Sequence, residues 1–190
     1  TIAQLCLRMF DPTDGTVSIN EIDLRDMELD SLRSQISYVP QDVFLFSDTI
    51  QHNINFGSAD NSLEKAKIAA EKAVILSEIE SLPQGFETWI GERGVTLSGG
   101  QKQRISIARA LSKENELLIF DDCLSAVDAK TEHKIADNLN TYLQNKTAIV
   151  ITHRVFPSFS FDQILIMKDG RIIEKGTHES LLKANGAYAE

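Results

Sequence analysis

Two stretches, "ELLIF" at residues 116–120 and "KTAIVIT" at residues 146–152, are apolar through their centres rather than at every second position. A strand with one face in water alternates; a strand that does not is covered on both faces. Between them, "TEHKIADNLNTYL" has the spacing of an amphipathic helix. Apolar strands alternating with helices predict an α/β sheet with helices over both of its faces. At 190 residues the chain is long enough for one domain with a substantial core.

The rest of the chain reads as follows. "IAQLCLRMF" has helical spacing, and the chain enters it with no lead-in. "DPTDG" is turn chemistry, and "TVSINEIDL" alternates like one strand. "LDSLRSQ" predicts a short helix capped near Asp30 or Ser31, and "ISYVPQ" a short strand ending at Gln41. "DVFLFSDTIQHNINFG" is apolar and aromatic without a clean period. Residues 61–81 are the clearest helical region, rich in helix formers, and "PQGFETWIGERGVTLSGGQ" reads as a long loop with five glycines. A helix is expected from Gln101 through "QKQRISIARALSK", with Ile105, Ile107, Ala108 and Leu111 on its buried stripe. "QILIMKDGRIIEKG" reads as a hairpin turning at Asp169-Gly170, and "THESLLKANG" as a closing helix capped by Thr177.

Charge and cysteine content remove several classes of function. The net charge of −9 argues against a nonspecific nucleic-acid binder. It leaves room for an anionic ligand, because backbone amides and helix N-termini bind phosphate without net positive charge. No apolar run approaches the roughly 20 residues of a membrane helix, and the first residues lack the pattern of a signal peptide. The two cysteines, Cys6 and Cys123, share no metal-ligand spacing and read as small apolar residues.

Two places can carry chemistry. "LLIFDD" ends a buried strand in two carboxylates, Asp121 and Asp122, and ligands of open α/β sheets bind beyond the carboxyl ends of strands. A carboxylate there can hold Mg²⁺ directly or through water. Its neighbour faces the other way, so the two need not share a task. Alone, the pair is equally consistent with two solvated turn residues. In "LSGGQKQR", Ser98 precedes Gly99-Gly100 at a helix start, which offers a hydroxyl, close backbone amides and a helix N-terminus to an anion. Composition alone leaves an ordinary capped helix equally open.

"LSGGQKQRISIARAL" resembles the signature motif of the ATP-binding-cassette (ABC) family. The family's other landmarks follow in order along the whole chain. "YVPQ" ending at Gln41 resembles the Q-loop, "LLIFDD" the Walker B strand, "SAVD" (Ser125 to Asp128) the D-loop, and "ITHR" with His153 the H-loop. "DVFLFSDTIQHNINFG" resembles the segment of exporter-type cassettes that faces the transmembrane domain, and "ERGVTLSGGQ" the exporter loop before the signature.

The resemblance implies a P-loop NTPase-like sheet core, residues 1–47 and 111–190, with a helical signature lobe at residues 48–110. It implies two cassettes paired head to tail around two ATP molecules with Mg²⁺. Gln41 and Asp121 would hold the metal, and His153 would contact the γ-phosphate. Leu97, Ser98, Gly99, Gly100 and Gln101 would cap the partner's ATP, with Ser125 and Asp128 communicating across the dimer. It places the chain at the cytoplasmic face of the inner or plasma membrane, beside a transmembrane domain, with no nucleic-acid partner. A soluble ABC ATPase of DNA repair or translation fits less well, given the exporter-like segment and the lack of a basic face.

The chain departs from the family pattern twice. It contains no G-x-x-x-x-G-K-[ST] P-loop, and Thr1 is expected to be the last residue of that motif, with the early strands lying upstream. Such a fragment should bind ATP weakly at best and be inactive alone. The family's catalytic glutamate position is Asp122, one methylene shorter, about 1.5 Å of reach. An intact signature beside an altered carboxylate resembles the degenerate-site subunit of heterodimeric exporters. The alternatives are a homodimeric drug or lipid exporter in which Asp122 works, and a non-hydrolysing regulatory module.

Overall fold

The computed structural model describes residues 1–91, 96–154 and 159–189. They fall into two units, Thr1–Val155 and Phe156–Glu190. In chain order the first unit holds α1 (Ile2–Cys6), β1 (Ser18–Ile19), β2 (Ile22–Asp23), α2 (Leu29–Ser34) and β3 (Ile36–Val39). There follow β4 (Asp48–Thr49), α3 (Ile50–Asn55), α4 (Leu63–Lys72), α5 (Leu76–Glu80) and β5 (Trp89–Ile90). It closes with α6 (Gly99–Ser112), β6 (Leu117–Asp121), α7 (Ala129–Tyr142) and β7 (Thr147–Ile151). The second unit is an antiparallel hairpin, β8 (Ile164–Lys168) and β9 (Arg171–Gly176), followed by α8 (His178–Ala184).

The non-alternating stretches are parallel strands, but of the two only β6 is buried: β7, expected to be a second buried strand, lies at the edge of the three-stranded sheet, with Thr147 and Ala148 exposed and Ile149 to Ile151 half-buried. β6 lies between β3 and β7, with Val39 opposite Phe120 and Asp121 opposite Ile151. Leu118, Ile119 and Phe120 are almost wholly buried. Ile36 and Ile119 pack in a cluster with Ala3 and Leu7, from α1 and the residue after it, and with Leu24 and Leu32. Ser37, facing the opposite way along β3, donates its hydroxyl to the Ala110 carbonyl of α6 at 2.8 Å. Helices therefore cover both faces, as the apolar pattern requires. On α6, Ile105, Ile107, Ala108 and Leu111 are buried, and α3 and α4 pack against it.

Several local expectations are corrected. "TVSINEIDL" is not one strand but a tight hairpin, because Asn20 (φ 50°) and Glu21 (φ 66°) form a left-handed two-residue turn. α2 is capped by Glu28, whose carboxylate accepts from the Asp30 and Ser31 amides, rather than by Asp30 or Ser31. α6 starts at Gly99, two residues before Gln101, because Ser98 caps it. The loop before it contains β5, which pairs with β4; its residues 92–95 lie outside the described residues. In the second unit the Asp169-Gly170 turn and the Thr177 cap are as read.

The helical region expected over residues 61–81 holds two helices, α4 and α5. The Ile75 amide donates to Ala70 O at 2.9 Å and the Val74 amide to Glu71 O at 3.0 Å, which ends α4 in a Schellman motif. That motif puts Val74 at φ 56°, an unfavourable place for a β-branched residue. Burial of Ile75 and Ile79 offsets the cost, as does the Val74 carbonyl, which accepts from Arg104 Nη1 at 2.7 Å. The same guanidinium pairs with Glu78 of α5, which fixes α5 on α6.

Ile119 is fully buried at the centre of the sheet. Ile119→Ala is expected to lower unfolding free energy by about 3 kcal/mol, read from the urea midpoint. The Arg104 hydrogen bonds hold the Glu78 carboxyl below its ordinary value. Its stabilising contribution is therefore full above the ordinary carboxylate range and is lost as pH falls through the lowered value. Glu78→Gln is expected to cost about 1 kcal/mol at neutral pH, given the partial exposure of the pair. That deficit should close in acid, in urea melts run across pH.

Candidate functional site

Parallel pairing brings the ends of β3, β6 and β7 to one edge. Gln41 lies two residues past Val39 and Asp122 two past its partner Phe120, so the register sets these two level, while His153, two past Ile151 whose partner is Asp121, stands one position further along the same edge. Asp121 is the last residue of β6, and its carboxylate accepts from the Tyr38 hydroxyl at 3.3 Å. Burial and the Asp121 charge both push the Tyr38 phenol above its ordinary range. Asp122 follows at φ 45°, its amide donating to Ile151 O at 2.8 Å. The left-handed residue turns the chain off the strand and sends the Asp122 side chain to Gln41, whose Nε2 lies 3.4 Å from Oδ2. The two carboxylates thus have different neighbours, Tyr38 for Asp121 and Gln41 for Asp122, because the chain leaves the strand between them.

His153 is exposed and makes no hydrogen bond among the described residues. Its turn is held on both sides. Thr152 Oγ1 accepts from the Arg154 amide at 3.0 Å and donates to the Arg154 carbonyl at 3.1 Å. The Arg154 guanidinium donates to Leu124 O and to Glu132 Oε2, each at 3.1 Å. The imidazole stands free at the edge on a fixed backbone.

The signature residues form a second cluster. Ser98 and Gln101 make a capping box: Ser98 Oγ accepts from the Gln101 amide at 3.2 Å, and Gln101 Oε1 accepts from the Ser98 amide at 2.9 Å. Gln101 Nε2 donates to Glu78 Oε2 at 3.0 Å, so the α5–α6 ion pair also orients the cap. The Ser98 hydroxyl proton is left over. So are the Gly99 and Gly100 amides, which no carbonyl within the helix can reach. Together with the positive end of a 14-residue helix, these donors suit a phosphate oxygen. Leu97 is buried beneath them.

The "SAVD" segment lies against this cluster. A Cβ on Gly100 would stand 2.9 Å from the Ala126 carbonyl, so only glycine allows the approach. Asp128 caps α7, accepting from the Thr131 amide at 3.0 Å, and these bonds hold its carboxyl below the ordinary range. Thr1 is apart: it stands exposed at the N-cap of α1 without a side-chain capping bond.

The carboxylate edge offers hard oxygen donors, the Asp121 carboxylate and the Gln41 amide oxygen. No group of three or more His, Cys, Asp or Glu that could hold a metal occurs among the described residues. Mg²⁺ fits such a sparse set, since it keeps several waters and takes one or two carboxylates plus phosphate oxygens. Three contributors escaped the sequence reading: Tyr38, Gln103 and Arg154. Each lies inside a quoted motif, but each acts through a partner distant in sequence, such as Asp121 for Tyr38 and Leu124 for Arg154.

Neither cysteine is part of a disulfide, and burial pushes the Cys123 thiol up to about 12. No helix among the described residues is long and apolar enough to cross a membrane.

Comparison with known proteins identifies the family. The family model described as "ABC transporter" matches residues 1–125. The chain is 45% identical to the iron-sulfur clusters transporter atm1, mitochondrial, of Aspergillus fumigatus, over 100% of the chain and 26% of that protein. It is 46% identical to the ATP-dependent lipid A-core flippase of Methylococcus capsulatus, over 100% of the chain and 32% of that protein. The structure of a bacterial Atm1-family ABC exporter with ATP bound superposes with a TM-score of 0.93 at 41% identity, covering 99% of this chain and 33% of that one. The chain therefore spans a third or less of the length of the proteins it matches. It belongs to the ABC transporter family, and what it carries is the nucleotide-binding cassette of the exporter type.

Proposed function

We propose that this chain is the energy-transducing part of an exporter: it binds ATP with Mg²⁺ and pairs head to tail with a second cassette. ATP hydrolysis is the activity of the family. The observation that carries the reading is the register of β3, β6 and β7, which aligns Gln41, Asp121, Asp122 and His153 on one edge. In this proposal Asp121 and the Gln41 amide oxygen hold Mg²⁺, which neutralises phosphate charge as the γ-phosphoryl group leaves. His153 donates to a γ-phosphate oxygen, which a neutral imidazole can do. Residues 48–110 form the lobe carrying the signature, and Leu97 to Gln101 cap the partner's nucleotide through the Ser98 hydroxyl and the Gly99 and Gly100 amides. Asp128 reaches the partner, and Thr1 lies by the phosphates of this chain's own ATP.

A transmembrane domain is the second partner in this reading, with the chain at the cytoplasmic face. Support comes from an aromatic surface: Phe44 and Phe56 are exposed, Phe44 packing edge-on and Phe56 tilted against Phe46. Arg109 underpins it, donating to Phe44 O at 2.9 Å and Asn53 O at 2.7 Å while lying over the Phe46 and Phe56 rings. Desolvation there lowers the Arg109 pKa to about 10.

Asp122 makes the site a degenerate one in this proposal, paired with a cassette of different sequence that hydrolyses. A water activated by glutamate would lie one methylene beyond its reach, and a displaced general base typically costs ~10²- to 10⁴-fold. One observation favours a second reading, a working homodimer: Asp122 already reaches Gln41, at 3.4 Å. Steady-state ATPase of a form carrying a P-loop ahead of Thr1, without a partner, separates the two. In the degenerate reading wild type is nearly silent, and Asp122→Glu raises turnover at least about 100-fold. Brisk wild-type turnover with little gain from glutamate would instead establish the homodimer.

A further inference from the structure

The signature and the carboxylate edge serve two different nucleotides in the reading above, yet hydrogen bonds join them inside one chain. Gln103 lies on α6 just past the signature and is 5% exposed. Its Oε1 accepts from the Ala126 amide at 3.0 Å, and its Nε2 donates to Ser125 Oγ at 3.2 Å. The orientation of the carboxamide is forced. A main-chain N–H only donates, so the oxygen must face Ala126 and the nitrogen Ser125. Having accepted that bond, the Ser125 hydroxyl donates to the Asp122 carbonyl at 3.1 Å. Asp122 is thereby gripped on both sides of its left-handed backbone, by Ile151 O at its amide and by Ser125 at its carbonyl. Gly100, one turn back on α6, closes against the Ala126 carbonyl.

We propose that Gln103 is a positioning residue that ties the start of the signature helix to Ser125 and Ala126 and, through the Ser125 hydroxyl, fixes the main chain of Asp122. A shift of the signature on its partner's nucleotide is then felt at this chain's own carboxylate. The role rests on the two-nucleotide reading above and deepens it. It depends on the polarity of the amide rather than on its volume. Glutamate fills the same space and still accepts from Ala126, but when ionised it has no proton for Ser125. The Ser125 hydroxyl must then turn to glutamate and release the Asp122 carbonyl.

The test uses the P-loop-bearing form with Asp122→Glu as parent, adding Gln103→Glu, Ser125→Ala and both. Each single change is expected to lower kcat about tenfold, the scale of one lost hydrogen bond, with KM for ATP held within about twofold. The double variant should be no slower than the slower single, because both changes cut the same connection. The Gln103→Glu deficit relative to the parent should close as pH falls, since the protonated acid donates to Ser125 again. Singles within twofold of the parent, or a double whose loss is the product of the two, overturn the proposal.

A parent with no turnover would sink the reading of the site and leave the tether to be decided by amide hydrogen exchange on the chain as it is. There Ser125→Ala and Gln103→Glu should each speed exchange at the Asp122 amide, which neither residue touches directly. Unchanged exchange at Asp122 overturns the proposal.

Discussion

Parallel pairing of β6 with β3 on one side and β7 on the other determines where Gln41, Asp121, Asp122 and His153 can be. The hydrogen bonds of a parallel ladder fix register along the whole length of a strand. Once Val39 is opposite Phe120 and Asp121 opposite Ile151, the residues just beyond the strand ends have nowhere else to go. Three strands from three distant parts of the sequence thus deliver an amide, two carboxylates and an imidazole to one edge. The burial of Leu118, Ile119 and Phe120 between helices on both faces holds that ladder rigid.

α6 is the second organising element, and it acts through polar side chains that are buried or nearly so. Arg104 holds α5 through Glu78 and caps the irregular end of α4 through the Val74 carbonyl. Gln103 holds Ser125 and Ala126. Arg109 holds the segment around Phe44 and Asn53. Ser37 on β3 reaches the Ala110 carbonyl. Because these groups are shielded from water, leaving any partner unsatisfied is costly, and the helix and its neighbours form a connected unit rather than separate contacts. The N-terminal end of the helix is mechanically continuous with the sheet edge for that reason.

Local pattern misled at three places. Helix formers dominate residues 61–81, yet α4 stops at a Schellman motif because burying Ile75 and Ile79, with Arg104 waiting for the Val74 carbonyl, outweighs the strain of a left-handed valine. The alternation of "TVSINEIDL" is real, but Asn20 and Glu21 adopt left-handed φ and fold it into a hairpin that the pattern alone does not distinguish from one strand. β5 hides in a glycine-rich run because its pairing with β4 involves two residues on each side, too few for any periodicity.

The sequence by itself determined the class of fold, through strands too apolar to face water, and the family, through motifs whose order and spacing admit few other readings. The resemblance further implied that Asp122 stands where the family usually has a longer carboxylate. Only the tertiary structure decided how those motifs touch: that Tyr38 leans on Asp121, that Arg154 braces the His153 turn against Leu124 and Glu132, and that Gln103 joins the signature to Asp122 through Ser125. The physical reason is one of range. Periodicity and capping are decided within a turn or a few residues and leave their mark in local composition. A hydrogen bond between groups 20 to 80 positions apart depends on register and helix placement, which no local stretch of the chain encodes.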